Sequence, residues 1–357
     1  MTVLEYRLTS AGDYPWLQST RQKLVGDRRE LHHCLFLAGG PAIGKAMLAL
    51  EFAAQLLCED SGTEGPCKKC RACHLLCSSL HPDFHVLMPE FLTESSDPIL
   101  ESHAQRYLEP ARTGQKRKPS EQISIDSARA LSEALLTTVR PGGRKVVLIV
   151  GADTMNRNTA NAMLKVLEEP TEGTRFILVS SYPYRLPATI HSRCIRLDCR
   201  APSQDETIRW LQSRHGASPN DLIGLAKSGL GPMDLDEIIR EDRAAMVQDL
   251  IRCCENPSGK AASPLFLSSL CAQIGTRQAL SILQSTALDA VRQSLQGPPE
   301  GAQQPRSLFA DQNLAFEAFY RLGAARERVN GQVDEQLCLE DICAWLSADR
   351  HYSQSRP

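Results

Sequence analysis

The chain has 357 residues, enough for two or three domains, and its 42% apolar and 23% charged residues are the balance of an ordinary soluble globular protein. A formal net charge of -2 excludes a chain that coats nucleic acid by bulk electrostatics, so any DNA contact has to come from a local patch or from partner subunits. No stretch approaches the roughly 20 apolar residues of a membrane helix, and the opening MTVLEYRLTSAGDYPWL has no basic start followed by an apolar run. A cytoplasmic location is therefore expected. In a reducing compartment the clustered members of the 13 cysteines suggest metal, and the scattered ones small buried hydrophobes.

CLFLAGG (34–40) reads as a buried strand entering a tight turn, and from Lys45 the segment AMLALEFAAQLL has the apolar density and propensity of a helix. Strand, glycine loop and helix open a nucleotide-binding α/β unit. Residues 91–120 are polar, lack a clear period and read as a surface insertion; Lys116, Arg117 and Lys118 within it read as a solvated loop rather than a DNA contact. A helix is expected at about Ile125–Val139 and a turn at Pro141-Gly142-Gly143. KVVLIV (145–150) follows as a central parallel strand. Ala160, Met163, Leu164 and Leu167 recur at helical spacing up to Pro170, and RFILVSS (175–181) is a further buried strand. Strands alternating with helices predict a parallel sheet covered on both faces.

At Pro202 the character changes. Ser203 with Glu206 makes a capping box, Gly216 suits a helix end, and Ser218-Pro219 starts another helix. From about 245 onward the periodicity is helical throughout, interrupted by a Gly/Pro/Gln loop at 297–305. The last helices, Leu314–Val329 and Leu337–Leu346, carry broad apolar stripes that could be core or subunit interface, with core favoured.

Three motifs carry chemistry. GGPAIGKA (Gly39–Ala46) matches a phosphate loop up to its last position. Gly39 and Gly44 let the backbone wrap so that amides face phosphate oxygens, and Lys45 adds a point charge. Ala46 has no hydroxyl for Mg²⁺. A P-loop ATPase also ends its next central strand in acidic residues that hold the metal and polarise water. Here Val150 and Gly151 stand at that register. Asp153, three residues on, reads as the cap of the next helix. ADP or ATP could still sit on Gly39, Gly44 and Lys45 without being cleaved. The second motif, C-x8-C-x2-C-x2-C at Cys58, Cys67, Cys70 and Cys73, suits a closed structural zinc site of four thiolates in a polar loop that offers no core. Cys77, His74, His81 and His85 are spare, and the remaining cysteines, Cys253-Cys254 among them, carry no readable signal. The third is Ser192-Arg193-Cys194, ahead of a final strand. Its arginine has the planar fork that suits a transferring γ-phosphoryl.

With YPWL (14–17), HPDF (81–84) and NAMLKVLEEP (161–170) added to these motifs, the chain resembles the bacterial clamp-loader AAA+ family over nearly its whole length. The departures at Ala46, Val150 and Gly151 match the family's delta-prime branch, which serves as a stator. The resemblance implies three domains. These are an AAA+ α/β domain over 1–201 with a zinc module at about 58–85 and the 91–120 insertion, a helical lid over 202–244, and a helical collar over 245–357. It implies gamma/tau motor and delta clamp-opening subunits as partners, with the sliding clamp and primed DNA met through that complex and no membrane. It also implies that Arg193 enters a neighbour's ATP site, and that the lid's nucleotide-sensing arginine is replaced by Met233 in SGLGPMD (228–234). Two other readings compete. One is a working ATPase with Asp153 or Glu168 as unconventional metal ligands; the other is a zinc-dependent DNA-binding module with Lys68, Lys69 and Arg71 as its basic face, weakened by the near-neutral charge and the lack of an aromatic platform.

Overall fold

Apolar runs make strands that need cover on both faces, and three of them, with the short strand Phe84–Leu87, build the centre of the first unit. In the computed structural model they are β1 (Cys34–Ala38), β2 (Phe84–Leu87), β3 (Lys145–Val150) and β4 (Thr174–Ser180), all but one of their residues buried. A fifth strand, β5 (Ile195–Asp198), is largely exposed. The sheet runs β2-β3-β4-β1-β5 with every pairing parallel, as the α/β reading expects. The structure describes residues 13–25, 32–62, 65–108, 119–136, 143–257, 263–296, 307–309, 311–329 and 334–353. The basic run at 116–118, the turn residues Pro141 and Gly142 and the loop at 297–305 lie outside them. The chain forms two compact units, Met1–Ala201 and Pro202–Pro357.

The helices of the first unit are α1 (Gln18–Val25), α2 (Lys45–Leu57), α3 (Arg71–Cys77), α4 (Pro98–Ala104), α5 (Ile125–Leu135), α6 (Arg157–Glu168) and α7 (Ala188–His191). Ala160, Met163 and Leu167 of α6, with Leu131 of α5, close over Phe36, Val147, Ile149, Phe176 and Leu178 of the sheet. The described part of α5 ends at Leu135, short of the expected Val139. A larger correction falls on 91–120, read from sequence as polar surface. Asp97 accepts from the Ile99 amide at 2.9 Å and starts α4, which buries Ile99, Leu100, His103 and Ala104. One turn on, Tyr107 is 9% exposed. The apolar face is real but spans only two turns, too short for its period to stand out of a polar run.

The second unit holds α8 (Gln204–His215), α9 (Pro219–Ala226), α10 (Pro232–Arg240), α11 (Ala244–Glu255), α12 (Pro264–Ile274), α13 (Thr276–Gln296), α14 (Gln312–Val329) and α15 (Glu335–Ser353). Both halves of the Ser203–Glu206 capping box are made, and Gly216 ends α8 in the left-handed region at φ 63. Asp236, 2% exposed, accepts from Arg214 Nε at 2.9 Å and His215 Nε2 at 2.9 Å and pairs with Arg240 at 3.2 Å. A carboxylate sunk this deep needs such neighbours. The late apolar stripes are core in part: Ala315, Ala318, Leu322 and Ala325 of α14 are 0% exposed, whereas Tyr320 is 70% and Leu337 63% exposed.

Two buried imidazoles set an acid limit on the first unit. His103 Nδ1 donates to the Ile99 carbonyl at 2.9 Å and its ring meets Phe84 edge to face; His85 Nδ1 bonds the Tyr107 hydroxyl. Neither Nε2 has a hydrogen-bond partner among the described residues. Burial, with Arg106 and His81 near both and Lys145 near His85, lowers each to about 4. The unfolded chain takes up these protons near pH 6.5 and the folded chain only near 4, so this stability is whole above 6.5 and is lost as pH falls through that window. Each imidazole accounts for up to about 3 kcal/mol. Urea midpoints measured from pH 7.5 to 4.5 are expected to fall steadily, and His103→Leu to flatten the slope; an unchanged slope would remove His103 from the account.

Candidate functional site

In a parallel sheet the loops that follow the strands gather at its carboxyl edge, and a ligand site belongs there. The loop from β1 to α2 passes this edge. A Cβ on Gly39 would stand 2.5 Å from the Cys199 carbonyl oxygen behind β5, while Gly40 has nothing within 4 Å. Gly44 caps α2 at φ 88 with the Tyr14 ring flush against it, and Trp16 Nε1 donates to the Ile43 carbonyl at 2.8 Å. Tyr14 and Trp16 are 3% and 2% exposed, so YPWL buttresses the loop. Lys45 is 4% exposed, and its ammonium donates to the Gly40 carbonyl and to Ser181 Oγ at 3.3 Å. Burial lowers it to about 8, with Cys199 and Asp153 opposing. Ala46 follows in the first turn of α2 with no hydroxyl to offer.

Val150 ends β3, 7% exposed, and Gly151 turns out of it at φ 67. A side chain at 151 would meet Leu92 at 3.2 Å and Pro89 at 3.4 Å, on a backbone that L-residues seldom adopt. Asp153 does not cap α6. Asn156 does, accepting from the Thr159 amide at 2.9 Å, whereas Asp153 Oδ1 accepts from the Ser181 amide at 3.0 Å and ties the ends of β3 and β4 together. Among the described residues, the one group of three or more side chains able to hold a metal is Cys58, Cys67, Cys70 and Cys73, with nothing comparable around the loop.

Arg193 stands at the other end of the sheet. The turn Ser192-Arg193-Cys194 precedes β5, so it lies at the amino edge, a strand length of about 13 Å from the residues that follow β5. Its guanidinium donates to the Thr189 carbonyl at 2.6 Å and to Ser192 Oγ at 3.1 Å, and it pairs with Glu168 at the end of α6. Cys194 is joined to Cys34, across a sequence separation of 160, by a disulfide. The expectation that scattered cysteines are only small hydrophobes is corrected here. The two sit side by side because β1 and β5 pair in register Leu35 to Ile195, a relation invisible in the order of residues.

Cys58 closes α2, Cys67 and Cys70 flank the following turn, and Cys73 lies in the first turn of α3. Their sulfurs lie within 4.8 Å of one another, Cys58 to Cys70 at 3.8 Å. Backbone amides point at them: Cys67 N to Cys58 Sγ at 3.3 Å, Cys70 N to Cys67 Sγ at 3.3 Å, and Cys73 N to Cys70 Sγ at 3.4 Å. The Lys69 amide foremost lowers Cys67 to about 7, while burial raises Cys58 and Cys73. Cys77, His74, His81 and His85 are not in the group. Sequence reasoning missed Tyr14 and Trp16 as props of the loop, Ser181 as the Lys45 acceptor, and Glu168 as the Arg193 partner.

The crowding at Gly39 is testable. Gly39→Ala drives a methyl into a backbone carbonyl that cannot swing aside and is expected to cost about 1–3 kcal/mol by thermal or urea unfolding. Gly40→Ala, facing open space, is expected to be neutral within about 0.5 kcal/mol. Equal effects would refute the packing described for this loop.

Comparison with known proteins identifies the family. A family profile described as "DNA polymerase III, delta subunit" matches residues 19–203. The chain is 36% identical over 258 residues to the DNA polymerase III subunit delta' of Pseudomonas aeruginosa, covering 71% of this chain and 70% of that one. To the subunit delta' of Escherichia coli it is 31% identical over 221 residues, covering 61% of this chain and 58% of that one. A solved DNA polymerase III gamma-subunit-related protein of Thermotoga maritima overlaps 93% of this chain and 99% of its own, at 16% identity and a TM-score of 0.45. The chain belongs to the delta-prime subunit family of DNA polymerase III.

Proposed function

We propose that this chain is a non-hydrolysing stator of a clamp loader, an accessory subunit that shapes an ATP site without owning one. The observation that carries the reading is Gly151. Where a motor needs an acidic pair for metal and water, the backbone turns at φ 67 between Leu92 and Pro89, and no carboxylate can be seated there without moving them. Ala46 and Val150 remove the other metal contacts. Asp153 and Glu168, the candidate replacements, bond the Ser181 amide and Arg193. Lys45 donates to the Gly40 carbonyl and to Ser181 Oγ.

In this reading the α/β domain spans 1–201, the lid 202–244 and the collar 245–357, and the partners are gamma/tau motor and delta subunits, with the sliding clamp and primed DNA reached through them. Arg193 serves a neighbour. Its position at the amino edge, opposite its own phosphate loop, supports action in trans, where a guanidinium fork stabilises charge on the transferring γ-phosphoryl. To act it would leave Glu168 and Thr189. The four cysteines hold a structural zinc: a tetrahedron of sulfurs about 2.3 Å from the ion has edges of about 3.8 Å, and Cys58 and Cys70 stand at 3.8 Å. With four thiolates the ion has no open position, so it would fasten the end of α2 to α3 and take no part in chemistry. Lys68, Lys69 and Arg71 are exposed on this module, yet no second feature points to nucleic acid.

Steady-state ATP turnover tests the stator role. Alone, the chain is expected to show no magnesium-dependent hydrolysis; with motor and delta subunits, Arg193→Ala and Arg193→Lys are expected to slow the site it faces by about 10³-fold or more. Unchanged turnover would remove the finger, and hydrolysis by the lone chain that Lys45→Ala abolishes would replace the stator with a motor. For the metal, protein purified reduced and without added metal is expected to carry one equivalent of zinc. Cys70→Ser is expected to lose it and to melt earlier; a metal-free wild type of equal stability would end the zinc assignment.

A further inference from the structure

The geometry points to Cys34 and Cys194 as a reversible oxidation site, a thiol pair whose disulfide clamps the arginine-bearing turn onto strand β1. The pairing register makes them neighbours: Leu35 lies opposite Ile195, so the residue before each sits beside the other, with Cα atoms 4.7 Å apart. That spacing is inside the span of an unstrained disulfide, so the bond can form and break without moving either strand. Among the described residues this is the one pair joined by a disulfide, while four other cysteines form the zinc-type cluster.

The two thiols also differ in access, as exchange chemistry requires. Cys34 is 0% exposed within the sheet, while Cys194 is half-buried at the turn. Cys194 is therefore the sulfur that meets a reagent and Cys34 the one that resolves it. With a low-molecular-weight disulfide of the glutathione type as oxidant, the Cys194 thiolate attacks one sulfur, forming a mixed disulfide and expelling one thiolate. The Cys34 thiolate then attacks Cys194 Sγ and expels the second. Two protein thiols are oxidised, one external disulfide is reduced to two thiols, and the two protons end on those leaving groups. A reducing thiol pool runs the same steps backwards.

The consequence lies one residue away. Arg193 precedes Cys194 directly, and the turn already leans on β1 through His191, whose ring meets Phe36 edge to face while its Nε2 donates to the Pro183 carbonyl at 2.8 Å. Oxidation adds a covalent anchor and holds the guanidinium on Thr189, Ser192 and Glu168. Reduction leaves only non-covalent contacts to break when the arginine swings outward. This last step rests on the trans-finger reading given above; the oxidation site itself does not.

The chain is equilibrated in buffers of increasing oxidised-to-reduced glutathione ratio, quenched with acid and alkylated, and its peptides are mapped by mass. A Cys34–Cys194 cross-link lighter by two hydrogens is expected to appear and to vanish on return to reduced glutathione. Cys34→Ser is expected to accumulate the Cys194–glutathione adduct. Two free thiols at positions 34 and 194 across the whole series, or a cross-link between other cysteines alone, would overturn the site. Should Cys34→Ser fold poorly, Cys194→Ala must abolish the cross-link by itself. ATP turnover is then compared for oxidised and reduced chain in the complex with motor and delta subunits. The oxidised form is expected to fall to the level of Arg193→Ala and to recover on reduction. Equal turnover in both forms, with Arg193→Ala still slow, refutes the clamp and spares the finger; equal turnover in all three refutes the finger and leaves the oxidation site to the mass map.

Discussion

The double hydrogen bonding of β1 is the constraint on which the first unit depends. All five of its residues are buried, with β4 on one side and β5 on the other. A strand held on both sides cannot slide without turning its buried side chains to the wrong face. Both ends of β1 are fixed as a result. The far end delivers the glycine loop to Tyr14, Trp16, Ser181 and Asp153; the near end sets Cys34 beside Cys194. One strand thus governs the shape of two places that never meet, a phosphate-type loop at one edge of the sheet and an arginine turn at the other.

Charge is handled differently at each buried position, and the differences follow from what surrounds the group. Lys145, 1% exposed, donates to the Ala134 and Leu135 carbonyls at 3.4 Å and so completes the C-terminal end of α5. Lys45 has a comparable depth, but its acceptors are the Gly40 carbonyl in its own loop and Ser181 Oγ just beyond β4. Asp236 gathers three cationic groups around one carboxylate. Gly151 is the opposite case. A side chain at that position would meet Leu92 and Pro89, so apolar packing leaves no room for a charged one.

β1, β3 and β4 were readable in advance because their apolar runs report burial directly, whereas β2, four residues with a histidine inside, was not read as a strand. The four-cysteine cluster was readable because its ligands are close in sequence, so spacing alone implies convergence. The Ser203–Glu206 cap was readable for the same reason. Helix α4 was not, since seven residues carry too little period. Asp153 was misplaced because Asn156 is an equally good cap one turn nearer the helix. The Cys34–Cys194 bond and the Arg193–Glu168 pair join residues 160 and 25 positions apart. They follow from strand order and from where α6 ends, facts that exist only after folding.

β5 has one further consequence. Among the described residues it pairs only with β1, and Ile195 is 48% exposed, so a row of amides and carbonyls is presented to water. Such a margin invites another chain to add itself as the next strand. Arg196 and Asp198, two residues apart and therefore on the same side of the strand, bond each other at 2.8 Å and leave a polar ridge there. Charged side chains on an edge strand are one of the general means by which such strand addition is discouraged.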